Sequence, residues 1–387
     1  MNNEELYKYR IDLIRKSIAF EKTDRIAHIS NAWLWKVHDA GLTISEAFGD
    51  TANMEKAVVN HQETYNFDML IDYGSRGPSA LYTFLEGDTF VVDEEKGYLS
   101  IKDDPIFELE EYDEMLADMN KFFWEKALPR KFKKLQGPLT KEDFMTMIGL
   151  YSASGGYMMS IPEKMKNEYG LPSIPMMAAA LASIEILCGG RGIKGLSTDM
   201  RRGKDKVAKA VELFDQFFAD PIAGMLMASP DGPDMNNPID TMCVLISHAF
   251  MNKKQWEAYY WPHLKKFIDI CVRKKKQIYL FCEASMIRFA EYFEDIPKGV
   301  VALHLENDDI YEVRKRLPNI CLIGGMTSAL LGNGTPQECV DGAKKLIDEI
   351  GRDGGFILSQ NKMLSYKEDC IRENLKAVSE FVLNYQM

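Results

Sequence analysis

The C-terminal third of this chain carries a rhythm that few folds can accommodate. Short apolar runs of the buried-strand type at 277–282, 300–304, 320–323 and 356–358 alternate with helix-like segments at 286–294, 308–316, 336–350 and 367–384. Strands that each feed a helix before the next strand must lie parallel, with right-handed crossovers. Weaker strand signals occur upstream at 26–29 and 67–71, with helical periodicity at 4–22 and 52–65. Residues 88–102 alternate around Glu95-Lys96-Gly97, the pattern of a β-hairpin. Helices are predicted at 110–134, 140–166, 204–219, 239–251 and 253–274. Ile174 to Leu187, the most apolar stretch, reads as a core helix, and 222–228 is a short apolar run. Over 387 residues without a Pro/Ser-rich linker, this pattern predicts an α/β chain forming one closed (β/α)8 TIM barrel. A single domain, 1–387, is expected. It has an N-terminal helical segment, and about 75–175 forms an insertion with hairpin and lid helices.

Charge and cysteine usage narrow the function classes. The net charge of −11 argues against nucleic acid as a partner, since affinity for phosphate backbones comes from clustered Lys and Arg. The first residues are polar rather than the apolar core of an export signal. No run approaches the roughly 18 apolar residues of a membrane span. Seven scattered cysteines with no paired spacing suit free thiols in a reducing compartment, so a cytoplasmic protein is expected.

Barrel chemistry sits where strands end. That rule selects Cys282 and Glu283 after one strand. After the next it selects His304, Glu306, Asp308 and Asp309. Asn361 follows the last. These thiol, carboxylate and imidazole groups are all zinc-ligand types. Each also has an ordinary structural reading: a strand-end cysteine packs as a small core residue, and Asp308 and Asp309 suit helix caps. Strand phase is left open. If Leu280 and Cys282 point inward, Glu283 faces away unless the chain turns at the strand end. Trp33, Tyr151 and His248 are expected to line the substrate pocket. The methionines Met145, Met147, Met158, Met159, Met176 and Met177 gather around the proposed lid as soft apolar packing. Gly189-Gly190-Arg191-Gly192 follows a helix rather than a strand, so a dinucleotide loop is excluded by context.

These residues bring in a family. The helix ending at Asp24-Arg25 resembles the N-terminal helix and junction of the uroporphyrinogen decarboxylase superfamily. The segments from Gly325 through Thr335-Pro336 to Val340, and from Gly354-Gly355 through Arg372-Glu373-Asn374, resemble its C-terminal motifs. The arginine-rich segment with which true decarboxylases bind porphyrin carboxylates is replaced here by Asn31 to His38, which contains no arginine. The thiolate pair of the coenzyme M branch is reduced to Cys282, with Leu280 in place of histidine. With Glu283 and His304, and with Glu306 as a further candidate, the chain resembles the methyltransferase I components of O-demethylase systems.

The resemblance implies transfer of a methyl group from a small-molecule methyl ether, typically a methoxylated aromatic, to Co(I) of a corrinoid (cobalamin) carried by a separate corrinoid protein. It also implies a zinc Lewis acid, with Glu283 and His304 as ligands and catalytic residues and Cys282 or Glu306 completing the set. A proton donor is the alternative to the metal. A homodimer is compatible with this reading. Two other readings stay open: a decarboxylase-like enzyme without methyl transfer, and a metal-free protein that only binds the corrinoid protein.

Overall fold

A computed structural model describes residues 1–74, 76–174 and 179–387. Seven strands form one parallel sheet: β1 (Ala27–Ser30), β2 (Met69–Leu70), β5 (Thr241–Leu245), β6 (Ile278–Cys282), β7 (Val301–Leu305), β8 (Cys321–Met326) and β9 (Phe356–Gln360). Between β2 and β5 in sequence lies a separate antiparallel hairpin, β3 (Phe90–Asp93) and β4 (Tyr98–Ile101). The order across the main sheet is β2-β1-β9-β8-β7-β6-β5. Both edges meet the same stretch of chain: Leu70 of β2 bridges Ser173, and Met242 of β5 bridges Ala179, both in parallel sense. Ser173 and Ala179 therefore stand at the eighth position of the barrel, and the architecture is the expected TIM-barrel type.

Alternation along each strand separates two layers. Ala27, Ile29, Met69, Met242, Tyr279, Phe281, Ala302, Ile323 and Ile357 pack together inside the barrel. Leu280, Cys282, Leu303, Leu305, Leu322 and Leu358 pack outward against the helices. The N-terminal helix, Asn3–Ile18, adds Leu13, Ile14 and Ile18 to the inner cluster and so closes the end of the barrel where the strands begin. Cationic side chains of this helix and of the junction after it are anchored there. Arg15 reaches Asp240 at 2.6 Å and Gln277 at 3.0 Å. Arg25 makes a two-pronged contact with Asp68, 2.7 Å on each side, and Arg10 lies 3.5 Å from the same carboxylate. Arg25 of the Asp24-Arg25 junction thus works as a buried clamp between the first two strands.

Several expectations need correction. Residues 241–245 form a strand and not part of a helix; Thr241, Cys243 and Val244 suit a pleated, fully packed position, and tertiary context decides the element. The run at 222–228 lies in a helix, Asp220–Ala228. The helix expected from Ile174 begins only at Ser183; before it, Ser173 and Ala179 make the barrel-closing bridges. That helix, Ser183–Arg202, breaks at Gly192 (φ 69°), where the Asp103 carboxylate accepts the Ile193 N–H at 2.9 Å and recaps it. The Gly-rich joint is a helix break pinned by the insertion. Met176 and Met177 lie outside the described residues.

The insertion runs on into a 29-residue helix, Lys141–Tyr169, which leads back to the barrel-closing segment. Its first half exposes Phe144, Met145, Ile148 and Tyr151.

Candidate active site

The strand-phase question resolves in favour of Glu283. Tyr279 and Phe281 face the barrel interior, so Glu283, two residues on, takes the same phase. Its N–H still donates to Leu245 O at 3.0 Å, which extends the β5–β6 ladder by one residue. The chain then leaves the strand at Ala284, a non-glycine residue with φ 59°. Such a conformation costs on the order of 1 kcal/mol and persists only where neighbours enforce it. The enforcing group is Glu306, whose carboxylate accepts the Ala284 N–H at 2.5 Å. Asn361 in turn donates to the Glu306 carbonyl at 2.7 Å. Strand ends of β6, β7 and β9 are thereby tied into one rim.

Glu283 is only partly exposed, and its carboxyl is pushed up to about 7. Burial is the main cause, because the charged form loses hydration. The negative charge of Glu306 adds to it, and Arg76 works against it. A carboxyl poised near neutrality at an inward-facing strand end is suited to donating a proton.

His304 lies one layer below, fully buried. Its Nε2 sits 2.7 Å from the Gln360 carbonyl, which can only accept, so Nε2 carries the proton. Its Nδ1 therefore accepts from the Tyr279 hydroxyl at 2.7 Å. Burial pulls its pKa down to about 4, so the ring is neutral. Both nitrogens are engaged, and the imidazole holds β6, β7 and β9 together instead of offering a lone pair to a ligand.

The remaining sequence candidates separate. Cys282 faces the helical layer with no exposure, and burial raises its thiol well above the usual range. His248 is buried in an aromatic box with Tyr260 and Phe289 on that same outer side. Tyr151 is 73% exposed on the long helix, so its ring lies in solvent and not in a pocket. Trp33 does reach the mouth: its indole N–H donates to the Arg76 carbonyl at 2.8 Å. Asp308 and Asp309 act as caps. Asp308 accepts from Met286 and Ile287 N–H, and Asp309 from Tyr311 N–H.

The donor set does not fit the zinc ion implied by the resemblance. Cys282 is turned away, His304 has no free lone pair, and one Glu306 oxygen is held by the Ala284 N–H. Among the described residues, no three His, Cys, Asp or Glu side chains come together as a metal site requires.

Arg76 is the residue that sequence reasoning missed. It stands in the loop after β2, and the strand-end rule applied to the weak 67–71 signal selects that loop. Asn31, which follows β1, belongs with it.

The sequence matches the family model described as uroporphyrinogen decarboxylase (URO-D) over residues 138–385. None of the curated proteins matches. Among solved structures, a methyltransferase from Methanosarcina mazei is similar in fold, with a TM-score of 0.60 and 13% identity over 95% of this chain and 96% of that one.

Proposed function

The chain belongs to the uroporphyrinogen decarboxylase (URO-D) family, and from that premise we propose that it is a methyltransferase that demethylates a methyl ether, using Glu283 as the proton donor. The observation that carries this reading is the Glu283 carboxyl, facing the barrel interior at a strand end with its pKa pushed up to about 7. The fold shared with the Methanosarcina mazei methyltransferase is consistent with it.

The acceptor in this reading is the Co(I) of a corrinoid on a separate protein, which supplies the nucleophile at the barrel mouth. An alkoxide or phenolate leaves poorly unless the charge developing on oxygen is neutralised. As the methyl group passes to the acceptor, the C–O bond breaks with its electron pair on oxygen. Glu283 delivers a proton to that oxygen, so the product is the neutral alcohol or phenol. Burial, with the charge of Glu306 added, makes Glu283 hold its proton more tightly than in water, and Glu306 sets the turn that aims the carboxyl. The resulting carboxylate is reprotonated from solvent at the open rim. A positioned general acid contributes roughly 10²–10⁴-fold to such a step.

The test is formation of methylated corrinoid from a panel of methyl ethers, followed by the absorbance of the corrinoid protein. Demethylation with loss of activity in Glu283→Gln is the expected result. Release of carbon dioxide from carboxylated substrates without any methyl transfer would overturn the reading in favour of a decarboxylase.

A further inference from the structure

The 29-residue helix Lys141–Tyr169 packs on its own chain by one face. Ile161 and Met165 of that face are fully buried, and the Tyr157 hydroxyl donates to the Tyr73 carbonyl at 2.9 Å. The opposite face is apolar as well. Met145, Ile148 and Met159 are 60%, 59% and 78% exposed there. On a helix of about 3.6 residues per turn they fall, with Ser152 and Gly156, within roughly 40° of a single line. Large apolar side chains on one outer line of a well-anchored helix mark a surface that is covered in use.

The order of the residues says what covers it. Ser152 is a midpoint. Met145 and Met159 lie seven residues to either side of it, Ile148 and Gly156 four, and Lys141 and Glu163 eleven. The same face laid on itself end for end sets methionine against methionine, isoleucine against glycine and lysine against glutamate. The charges are free to do this. Asp143 and Lys164 are paired within the chain, with Lys134 and Glu55. Lys141 and Glu163 are exposed and form no ion pair among the described residues.

A further observation concerns the backbone. Gly149, Gly155 and Gly156 stand inside the helix, where glycine is disfavoured relative to alanine. None has a positive φ, and a Cβ at any of the three would meet nothing within 4 Å. Packing within the chain therefore gives no reason for them. A bare backbone does let a second helix approach closely.

We infer that this face is the contact between two copies of the chain, their long helices antiparallel and crossing at Ser152 on a two-fold axis. Ile148 of each copy seats over the Gly155-Gly156 pair of the other, and Met145 packs on Met159. Lys141 meets Glu163 at both ends of a contact about 33 Å long. An unrelated partner gives no reason for a face complementary to itself. The inference goes beyond the methyl-transfer reading and does not depend on it.

Light scattering on the full chain at micromolar concentration is expected to give the mass of two chains. Gly155→Gln combined with Gly156→Gln puts bulk where the backbones meet while favouring the helix in each chain. Circular dichroism then stays native and the dissociation constant rises at least about 100-fold. Lys141→Glu weakens the dimer about tenfold, and adding Glu163→Lys restores it, as this register requires. All seven native cysteines are buried, so Ser152→Cys supplies an accessible thiol at the axis. Mild oxidation links two such chains quickly, whereas Lys209→Cys, exposed on another helix, links slowly. A monomeric wild type, a dimer untouched by the glycine substitutions, a charge exchange that fails to restore it, or equal cross-linking of Ser152→Cys and Lys209→Cys would each overturn the assignment. A monomer that sediments with lipid vesicles would overturn it in favour of a membrane surface.

Discussion

The two ends of the barrel use the same kinds of side chain in opposite ways. Where the strands begin, Arg10, Arg15, Arg25, Asp68 and Asp240 are paired and hydrogen-bonded to each other and to the backbone. Where the strands end, the Glu283 carboxyl is pushed up to about 7, and among the described residues the buried amide of Asn31 and hydroxyl of Ser359 have no hydrogen-bond partner. Charges at one end bind the fold. At the other, a carboxyl raised by burial and polar groups without partners lower stability and create the capacity to bind and react. Conserving the fold and performing chemistry are thus assigned to opposite faces, as barrel geometry permits.

The comparison can be broken most sharply at Glu283. Glu283→Gln is expected to cut methyl transfer by roughly 10²–10⁴-fold while the protein becomes no less stable. Its sign with pH is opposite for the two properties. The folded-state carboxyl, near 7, lies above its unfolded value of 4.5, so its contribution to stability is full at low pH and lost as pH rises through 7. Activity in the wild type should fall over the same range, and Glu283→Gln should melt higher than wild type at pH 8. A pH profile in which the variant merely unfolds would break this claim.

At the other end, Asp68→Asn leaves two buried arginines facing a neutral amide. A loss of about 3–5 kcal/mol in urea denaturation is expected, with the activity of the remaining folded protein intact. If that variant lost activity without losing stability, the division between the two ends would be wrong.

Acid sensitivity comes next. His28 and His304 are fully buried with pKa values near 4, below the unfolded value of 6.5. Their stabilising contribution is complete above about pH 6.5 and is lost as pH falls toward 4, by at most about 3 kcal/mol for each. Circular dichroism midpoints measured across that window would reveal it, and flat stability from pH 7 to 4 would contradict it. The smallest expected effect belongs to Cys282→Ala, about 1 kcal/mol of stability from lost packing, with methyl transfer unchanged. A strong loss of activity there would return the thiol to the site.

Much of this architecture can be read in the residues themselves, and the exceptions have identifiable causes. The strand–helix alternation after residue 277 is local and regular, so β6 to β9 fall within a residue or two of expectation at most of their ends. β5 escapes because Met242 to His248 has no period of its own, and only its neighbours make it a strand. The rim position of Glu283 follows from strand ends, but its inward phase depends on two bulky aromatics, Tyr279 and Phe281, filling the barrel core. His304 is found by the same rule. That its ring would be held by a tyrosine on one side and a carbonyl on the other is a three-strand relationship with no one-dimensional trace. Arg76 is missed because its strand, β2, is only two residues long.

Glu306 carries a consequence for how this site can change over time. Its carboxylate both stabilises the left-handed kink at Ala284 and supplies the field that weakens Glu283 as an acid. Aim and potency are therefore inherited together. A glutamine there retains an oxygen for the kink and lets the neighbouring proton leave more easily. An alanine removes both. Any lineage that drifts at this one position retunes its chemistry before its shape, and reactivity can diverge between relatives whose backbones superimpose.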